Sequence, residues 1–264
     1  MPKLLEYPRY ALQLLRGERL AGERDQQADC LADIAPMIDM QVPRQILDLA
    51  NGRLRPQYTL FKRLGHAVTG IDMANWPQRS AINLAYVVAR QIYTWRLGIT
   101  YEPRKRRTLV CGDVGRLPFP DAAYDLVISA AAFEHFLDVP AVVAEVKRVL
   151  KPGGVAWISI HPFACPSGGH NVTFTEYPLQ RMPAGMEAWD HLRQRRIPFT
   201  VPLNEWRQAQ YVAEFTRHFE IIKTYCRTRE GDALLTTQIE AELRDYSRDE
   251  LTCLQFVIVA RKPL

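Results

Sequence analysis

QILDLANGRLRPQYTLFKRLGHAVTGIDM, residues 45–73, reads as strand, tight turn, helix and strand, with an acid near the end of each strand. Ile46, Leu47 and Leu49 surround Asp48 in a short apolar run, the pattern of a parallel strand buried on both faces. Asn51-Gly52 is turn chemistry, and Pro56 is tolerated in the first turn of a following helix. Tyr58, Leu60, Phe61 and Leu64 recur at helical spacing, and Gly65 is placed to end the helix. Ala67–Ile71 returns as a second strand closed by Asp72. The length suits a βαβ unit of about 30 residues. A carboxylate roughly 20 residues past a glycine turn is well placed to bind the two hydroxyls of a ribose.

The strand and helix rhythm continues beyond this unit. Ala81–Leu97 reads as a well-buried helix, and Thr108–Cys111 as a third strand running into Gly112-Asp113. A fourth strand at Leu126–Ser129 and a helix at Ala141–Leu150 follow. Lys151–Gly154 then turns sharply into a fifth strand, Val155–Ile160. A helix at Glu205–Phe215, a sixth strand at Phe219–Tyr225, a helical excursion at Thr237–Tyr246 and a last strand at Leu254–Val259 complete the pattern. Alternation of this kind predicts an α/β fold, a doubly wound, mostly parallel seven-stranded Rossmann-like sheet with insertions over the carboxyl strand ends. The expected organisation is one domain over 1–264. Residues 1–44 are N-terminal helices that either cover the mouth of a site or pad the sheet, and 45–160 are the core. Residues 161–217 form a cap or lid, and 218–264 the last strands with their helical insertion.

Composition narrows the class. The 264 residues are 47% hydrophobic, enough for a sizeable core, and no run of about 18 apolar residues suggests a membrane span. The N-terminus lacks a signal-peptide pattern, and five scattered cysteines without a CxxC pair argue against a disulfide framework or zinc ribbon. A reducing, cytoplasmic setting is expected. The net charge of +5 is mild. Arg104–Arg107 and the group Arg193, Arg195 and Arg196 are the basic runs, without the interleaved aromatics of a single-strand platform, so nucleic acid is not the expected partner.

Four pieces taken together, Ile46-Leu-Asp-Leu-Ala50, Val68-Thr-Gly-Ile-Asp72, Gly112-Asp-Val114 with Leu117-Pro-Phe, and Tyr124-Asp-Leu-Val with Leu150-Lys-Pro-Gly-Gly154, carry a family likeness. The chain resembles the class I S-adenosylmethionine-dependent methyltransferases, the small-molecule branch that includes ubiquinone-type methylases. The resemblance implies S-adenosyl-L-methionine as cofactor. It would be held by Asp48, Ala50, Gly52, Arg53, Asp72, Met73, Asp113, Val114, Ser129 and Ala130. The turn Ala50–Arg53 would wrap the methionine part, Asp72 take the ribose hydroxyls, and Met73 pack on the adenine. Asp113 and the Val114 backbone would read the adenine edge, and Ser129 and Ala130 line the methionyl end. One departure stands out: of the usual glycine run only Gly52 remains. The two added side chains either crowd the methionyl group or supply, through Arg53, a partner for its carboxylate.

The sequence lacks G-x-G-x-x-G, Walker, G-x-S-x-G and H-E-x-x-H patterns. His161 and Cys165 have loose metal-ligand spacing without partners nearby, so no metal is expected. An oxygen acceptor of high pKa needs a base. His135, in Phe133-Glu-His-Phe136, and His161 and His170, beyond the fifth strand, are the candidates. Ser167-Gly-Gly-His-Asn171 is the most unusual local run, with Gly168–Gly169 expected to let backbone approach a ligand. Phe174, Tyr177, Met182, Met186 and Trp189 are expected on a lid that closes over a small-molecule acceptor, or over a glycan- or lipid-linked intermediate. The competing function is a catalytically silent binding or scaffold protein with a decayed glycine loop.

Overall fold

The structure, a computed structural model, describes residues 16–75, 81–96, 108–170, 178–199 and 201–264. Leu12, Leu14, Leu15, the Arg104–Arg107 run, Asn171, Phe174 and Tyr177 lie outside the described residues. The first described helix is α1 (Glu18–Ile34), followed by β1 (Gln45–Leu49), α2 (Pro56–Arg63), β2 (Ala67–Ile71), α3 (Ala81–Arg96) and β3 (Leu109–Val110). Then come β4 (Tyr124–Ala130), α4 (Val139–Val149), β5 (Leu150–Ile160), α5 (Asp190–Arg193), α6 (Gln208–Thr216), β6 (Glu220–Arg229), α7 (Thr237–Glu242), α8 (Arg248–Thr252) and β7 (Cys253–Arg261). The strands form one sheet in the order β3-β2-β1-β4-β5-β7-β6. The first five are parallel, and β7 runs antiparallel between β5 and β6.

β1 lies between β2 and β4, which pair with its two edges, and both of its faces are covered by packed cores. Leu47 and Leu49 point to one side, into a core with the valines of α4, Phe133 and Phe215. Ile46 points to the other, with Cys30 and Ile34 of α1 and Tyr58 and Phe61 of α2. Period-two alternation thus feeds two helical layers, as the pattern predicts. Chain reversal after α2 uses Gly65 at φ +89°, a left-handed position that suits glycine.

Three expectations need correction. Among its described side chains α3 is not well buried: Leu84, Val88 and Trp95 are 66%, 52% and 73% exposed, while Tyr93 is buried against Leu20 and Leu60. Among the described residues β3, two residues long, is the edge strand of the sheet on this side. Lys151–Gly154 is no turn between elements but an irregularity inside β5, between the pairs Tyr124↔Leu150 and Leu126↔Val155. The insertion after β5 is not, in its described part, an open lid. Residues 161–169 are buried, and Trp189 is fully buried in a satellite core with Leu235, Ile239, Leu243 and Leu251.

α1 pads the sheet through one hub. Asp33 accepts hydrogen bonds from Trp157 Nε1 at 3.0 Å, Lys223 Nζ at 2.6 Å and Tyr225 OH at 2.6 Å. Burial alone would raise the Asp33 pKa, but these three donors overcome it and hold the carboxyl below its usual range. We expect Asp33→Ala to lower unfolding stability by about 2–3 kcal/mol, because the indole N–H is left buried and unpaired. A depressed folded-state pKa means that this contribution is complete above about pH 4 and lost as the pH falls through the folded value. Urea denaturation at pH 7 and pH 3 checks both statements; a loss that is as large at pH 3 as at pH 7 contradicts the assignment.

Candidate active site

The carboxyl ends of β1, β2, β3 and β4 meet at a turn built from backbone and carboxylates. Ala50, at φ 58°, and Gly52, at φ 65°, both adopt left-handed backbone. The turn therefore forms with alanine where a glycine is easier, at a cost of order 1–3 kcal/mol for the non-glycine position. Asp72 fixes it: its Oδ2 accepts the Gly52 N–H at 2.7 Å and its Oδ1 the Ala74 N–H at 2.6 Å. Each carboxylate oxygen keeps a second lone pair for a hydroxyl donor.

The side chains that replace the glycine run do not crowd this space. Asn51 is buried, 4% exposed, and turns inward. Its Oδ1 accepts from Asn75 Nδ2 at 3.0 Å, and a Cβ added to Gly70 would stand 2.8 Å from that oxygen. Gly70 thus makes room for Asn51. Asn75, unremarked in the sequence, also donates to Val110 O at 2.9 Å and ties the turn to β3. The Arg53 guanidinium lies 5.3 Å over the Tyr86 ring of α3, and Arg90 of α3 donates to Arg53 O. Above Gly52 an added Cβ would meet nothing within 4 Å. Met73 is 73% exposed beside Asp72, an uncovered apolar side chain where the resemblance puts adenine. Asp113 is exposed, with Oδ1 accepting the Gly115 N–H at 2.9 Å, and Val114 packs on the core beside it. These residues fit an adenosine bearing a methionyl group.

Two expected cofactor contacts are structural instead. Asp48 is 3% exposed and accepts the Tyr58 N–H at 2.9 Å, so it caps α2, whose N-cap position is held by Arg55, a residue that makes no side-chain capping bond. Ser129 is 1% exposed and donates to Leu49 O at 3.0 Å, joining β4 to β1, while Ala130 beside it is half-buried.

The three candidate histidines, 35 residues apart at the extremes, form one cluster beyond β4 and β5. The His170 ring centroid lies 4.6 Å from that of His161 and 4.8 Å from that of His135. His135 Nδ1 donates to Pro202 O at 3.0 Å. His161 Nε2 lies 2.8 Å from Ser167 Oγ, which in turn makes a short contact with Glu230. A carboxylate accepts only, so Ser167 donates to Glu230 and His161 carries its proton on Nε2. Glu230 also takes the N–H groups of Ser167 and Leu179, at 3.0 and 2.8 Å, which pins the insertion to the end of β6. Burial, reinforced by neighbouring histidines, pushes the pKa of His161 down to about 3 and that of His170 to about 2. Such imidazoles stay neutral and accept protons poorly, so the general-base role expected of either one is not what this geometry offers.

Gly168 and Gly169 serve packing, not ligand approach. A Cβ at Gly168 would lie 2.2 Å from Phe163 O, and one at Gly169 would lie 2.9 Å from the His191 Cβ. Sequence reading also passed over Glu134 and Asn204. Glu134 is 2% exposed, burial raises its pKa to about 8, and it accepts the His161 N–H at 3.3 Å. Asn204 clamps the 3-10 turn Phe133–His135 by donating to Phe133 O at 2.7 Å and Phe136 O at 2.9 Å. The available signal for Glu134 was its place beside His135; Asn204 gave none. The basic group of the insertion is neutralised internally: Arg193 pairs with Glu242, Arg195 with Glu205 and Arg196 with Glu187.

A family model described as a methyltransferase domain matches residues 47–158. The chain is 31% identical over 202 residues to the malonyl-[acyl-carrier protein] O-methyltransferase of Serratia marcescens, covering 74% of this chain and 71% of that one. It is 30% identical over 122 residues to a sterol 24-C-methyltransferase of Gibberella zeae, covering 46% of this chain and 29% of the relative's length. The solved S-adenosylmethionine-dependent methyltransferase from Mesorhizobium loti has the same fold, with a TM-score of 0.52 at 18% identity over 87% of this chain and 95% of that one. The chain belongs to the class I S-adenosylmethionine-dependent methyltransferases. Among the described residues no helix is long and apolar enough to cross a membrane.

Burial, with Asp72 and Glu23 adding to it, raises the Asp48 pKa to about 7, against about 3.9 in an unfolded chain. Between these values the folded state holds a proton that the unfolded state has lost, so this group's contribution falls as pH rises from about 4 to about 7. We expect Asp48→Asn to remove that slope, so that the variant gains on the wild type across the window by roughly 4 kcal/mol at most. Denaturation midpoints of both proteins from pH 4 to pH 8 check this; parallel curves contradict it.

Proposed function

We propose that the protein transfers a methyl group from S-adenosyl-L-methionine to a small-molecule acceptor, or to a glycan- or lipid-linked intermediate, at an oxygen atom. The observation that carries the reading is Asp72, held by Gly52 and Ala74 at the end of β2 beside the exposed Met73. A carboxylate so placed is oriented for paired ribose hydroxyls, each bond worth roughly 1.5–3 kcal/mol when charge-assisted. Met73 covers the adenine face, Asp113 and the Val114 backbone read its edge, and the Ala50–Arg53 turn holds the methionyl end.

The cofactor supplies a methyl group on a sulfonium centre, transferred by in-line displacement. This chain's residues align the partners and exclude water. The acceptor side is the histidine cluster beyond β4 and β5, polar and partly open through His135. That polarity favours an oxygen acceptor over a wholly apolar one. The Serratia relative is named for methylation at oxygen and the Gibberella relative for methylation at carbon, so oxygen is argued from this cluster. The well-formed turn at Gly52 speaks against a silent scaffold with a decayed loop. The free cysteines suit a reducing, cytoplasmic setting.

Asp72→Ala tests the reading by calorimetric titration with S-adenosylmethionine and its demethylated product. Loss of two charge-assisted bonds is expected to weaken both ligands by about 10²-fold or more, with the fold retained. An unchanged dissociation constant rejects the ribose assignment, and absence of binding to the wild type at millimolar ligand rejects the enzyme.

A further inference from the structure

We propose that Glu134, His135 and His170 form a binding site for one divalent first-row transition-metal ion, with Zn²⁺ as the reference case. Sequence spacing gave no reason to expect it, since the three ligands come from two loops joined only by the fold. One ligand atom from each lies within 4.8 Å of the other two. Ligands at about 2.0–2.2 Å from a shared ion stand roughly 3.0–3.5 Å apart, a contraction within reach of side-chain rotation.

The hydrogen bonding around the cluster points the same way. Pro202 O can only accept, so His135 Nδ1 donates to it, which leaves Nε2 as the nitrogen that would ligate. That nitrogen faces Glu134 Oε1 at 3.9 Å. No hydrogen bond spans that distance, so neither group satisfies the other. Glu134 Oε1 is buried and has no hydrogen-bond partner among the described residues, while Oε2 takes the His161 N–H. A cation bound between them gives the carboxylate and the imidazole a shared partner. A backbone carbonyl holding the far nitrogen of a ligating histidine is also the usual outer support of a metal site.

Both loops are held in place. Asn204 clamps the turn that carries Glu134 and His135. The His170 N–H bonds to Ser167 O at 2.9 Å, and Ser167 is tied to Glu230. Two imidazole nitrogens and one carboxylate suit Zn²⁺, Mn²⁺ or Fe²⁺ better than Mg²⁺ or Ca²⁺, which prefer oxygen. The His135 side chain is 33% exposed and gives the ion an entry path. The neighbouring group His161, Cys165 and Glu230 is as close-set but fully buried, and its His–Ser–Glu hydrogen bonds already satisfy it. With three protein ligands, positions remain for water or for oxygens of an acceptor, whose acidity the ion would raise. That last role rests on the methyl-transfer reading; the site itself does not.

The test uses the full chain without a polyhistidine tag, stripped with chelator and titrated with Zn²⁺, with Co²⁺ absorption reporting the ligand set. We expect one equivalent of Zn²⁺ per chain after gel filtration. His135→Ala and His170→Ala should each weaken binding by about 10²-fold or more, with unchanged circular dichroism and unchanged affinity for S-adenosylmethionine. Cys165→Ser should bind as the wild type does. His135 lies partly in solvent, so its variant is the one least exposed to folding failure. Absence of stoichiometric binding to the wild type overturns the proposal and leaves an ordinary imidazole–carboxylate approach. Binding that survives His135→Ala, or that is lost in Cys165→Ser, overturns it by placing the ion elsewhere. Loss of cofactor binding in the wild type, with metal binding kept, strikes at the methyl-transfer reading alone.

Discussion

The left-handed turn after β1 has to be held open at the point where four parallel strands end, and two carboxylates take part in this. Asp48 sits below the turn and takes the Tyr58 N–H, so α2 starts where its first donors would otherwise lack partners. Asp72 sits beside it and takes the Gly52 N–H, so the turn cannot collapse onto β2. The two acids are close enough for Asp72 to raise the pKa of Asp48. One is kept neutral by burial over much of the pH range while the other stays half-exposed. That division of labour lets one acid act in folding and leaves the other for a ligand. Asn51, tucked against Gly70 and bonded to Asn75, shows how the turn keeps its path with a side chain where a glycine would be easier.

On the other side of the sheet's carboxyl edge the chain spends its polarity differently. Residues 161–169 are buried despite their irregular backbone, so their polar groups must find partners inside. Glu230 accepts from Ser167, Glu134 takes the His161 N–H, Trp189 and His191 bond to the Ala164 and Phe163 carbonyls, and the His161 ring joins through the Ser167 hydroxyl. The insertion shares its satellite core with the excursion between β6 and β7, through Trp189, Leu235, Ile239 and Leu251. A loop packed in this way positions His170 as firmly as a helix would. Its rigidity also explains why the histidines meet as a group: their separations are set by packing, not by chain proximity.

The βαβ unit, the seven strands and the acids at strand ends were legible because periodicity and turn chemistry are local properties. Ile46, Leu47 and Leu49 announce a doubly covered strand whatever lies against them. Asp72 and Asp113 were legible as acids at strand ends because their place follows from where each strand stops, while their expected cofactor roles, and that of Met73, came with the family likeness. Burial was less legible. The apolar residues of α3 gave no sign that the sheet would end at β3 and leave Leu84 and Trp95 exposed. Trp189 looked like a lid residue only because its partners lie more than 40 residues further along the chain.

The sequence by itself determined the fold class, the run of strands and helices and the acids at the strand ends, since each is read from neighbours within one turn or one strand. Tertiary structure alone decided which polar groups would be left to bind something. Asp48 and Ser129 were drawn into capping and strand-to-strand bonds by groups 10 and 80 residues away. Glu134, His135 and His170 were brought face to face by the approach of two loops, and Asn204 fixed one of them from a third segment. The free energy of a buried polar atom depends on whether a partner arrives within about 3 Å, and only the folded chain sets that distance.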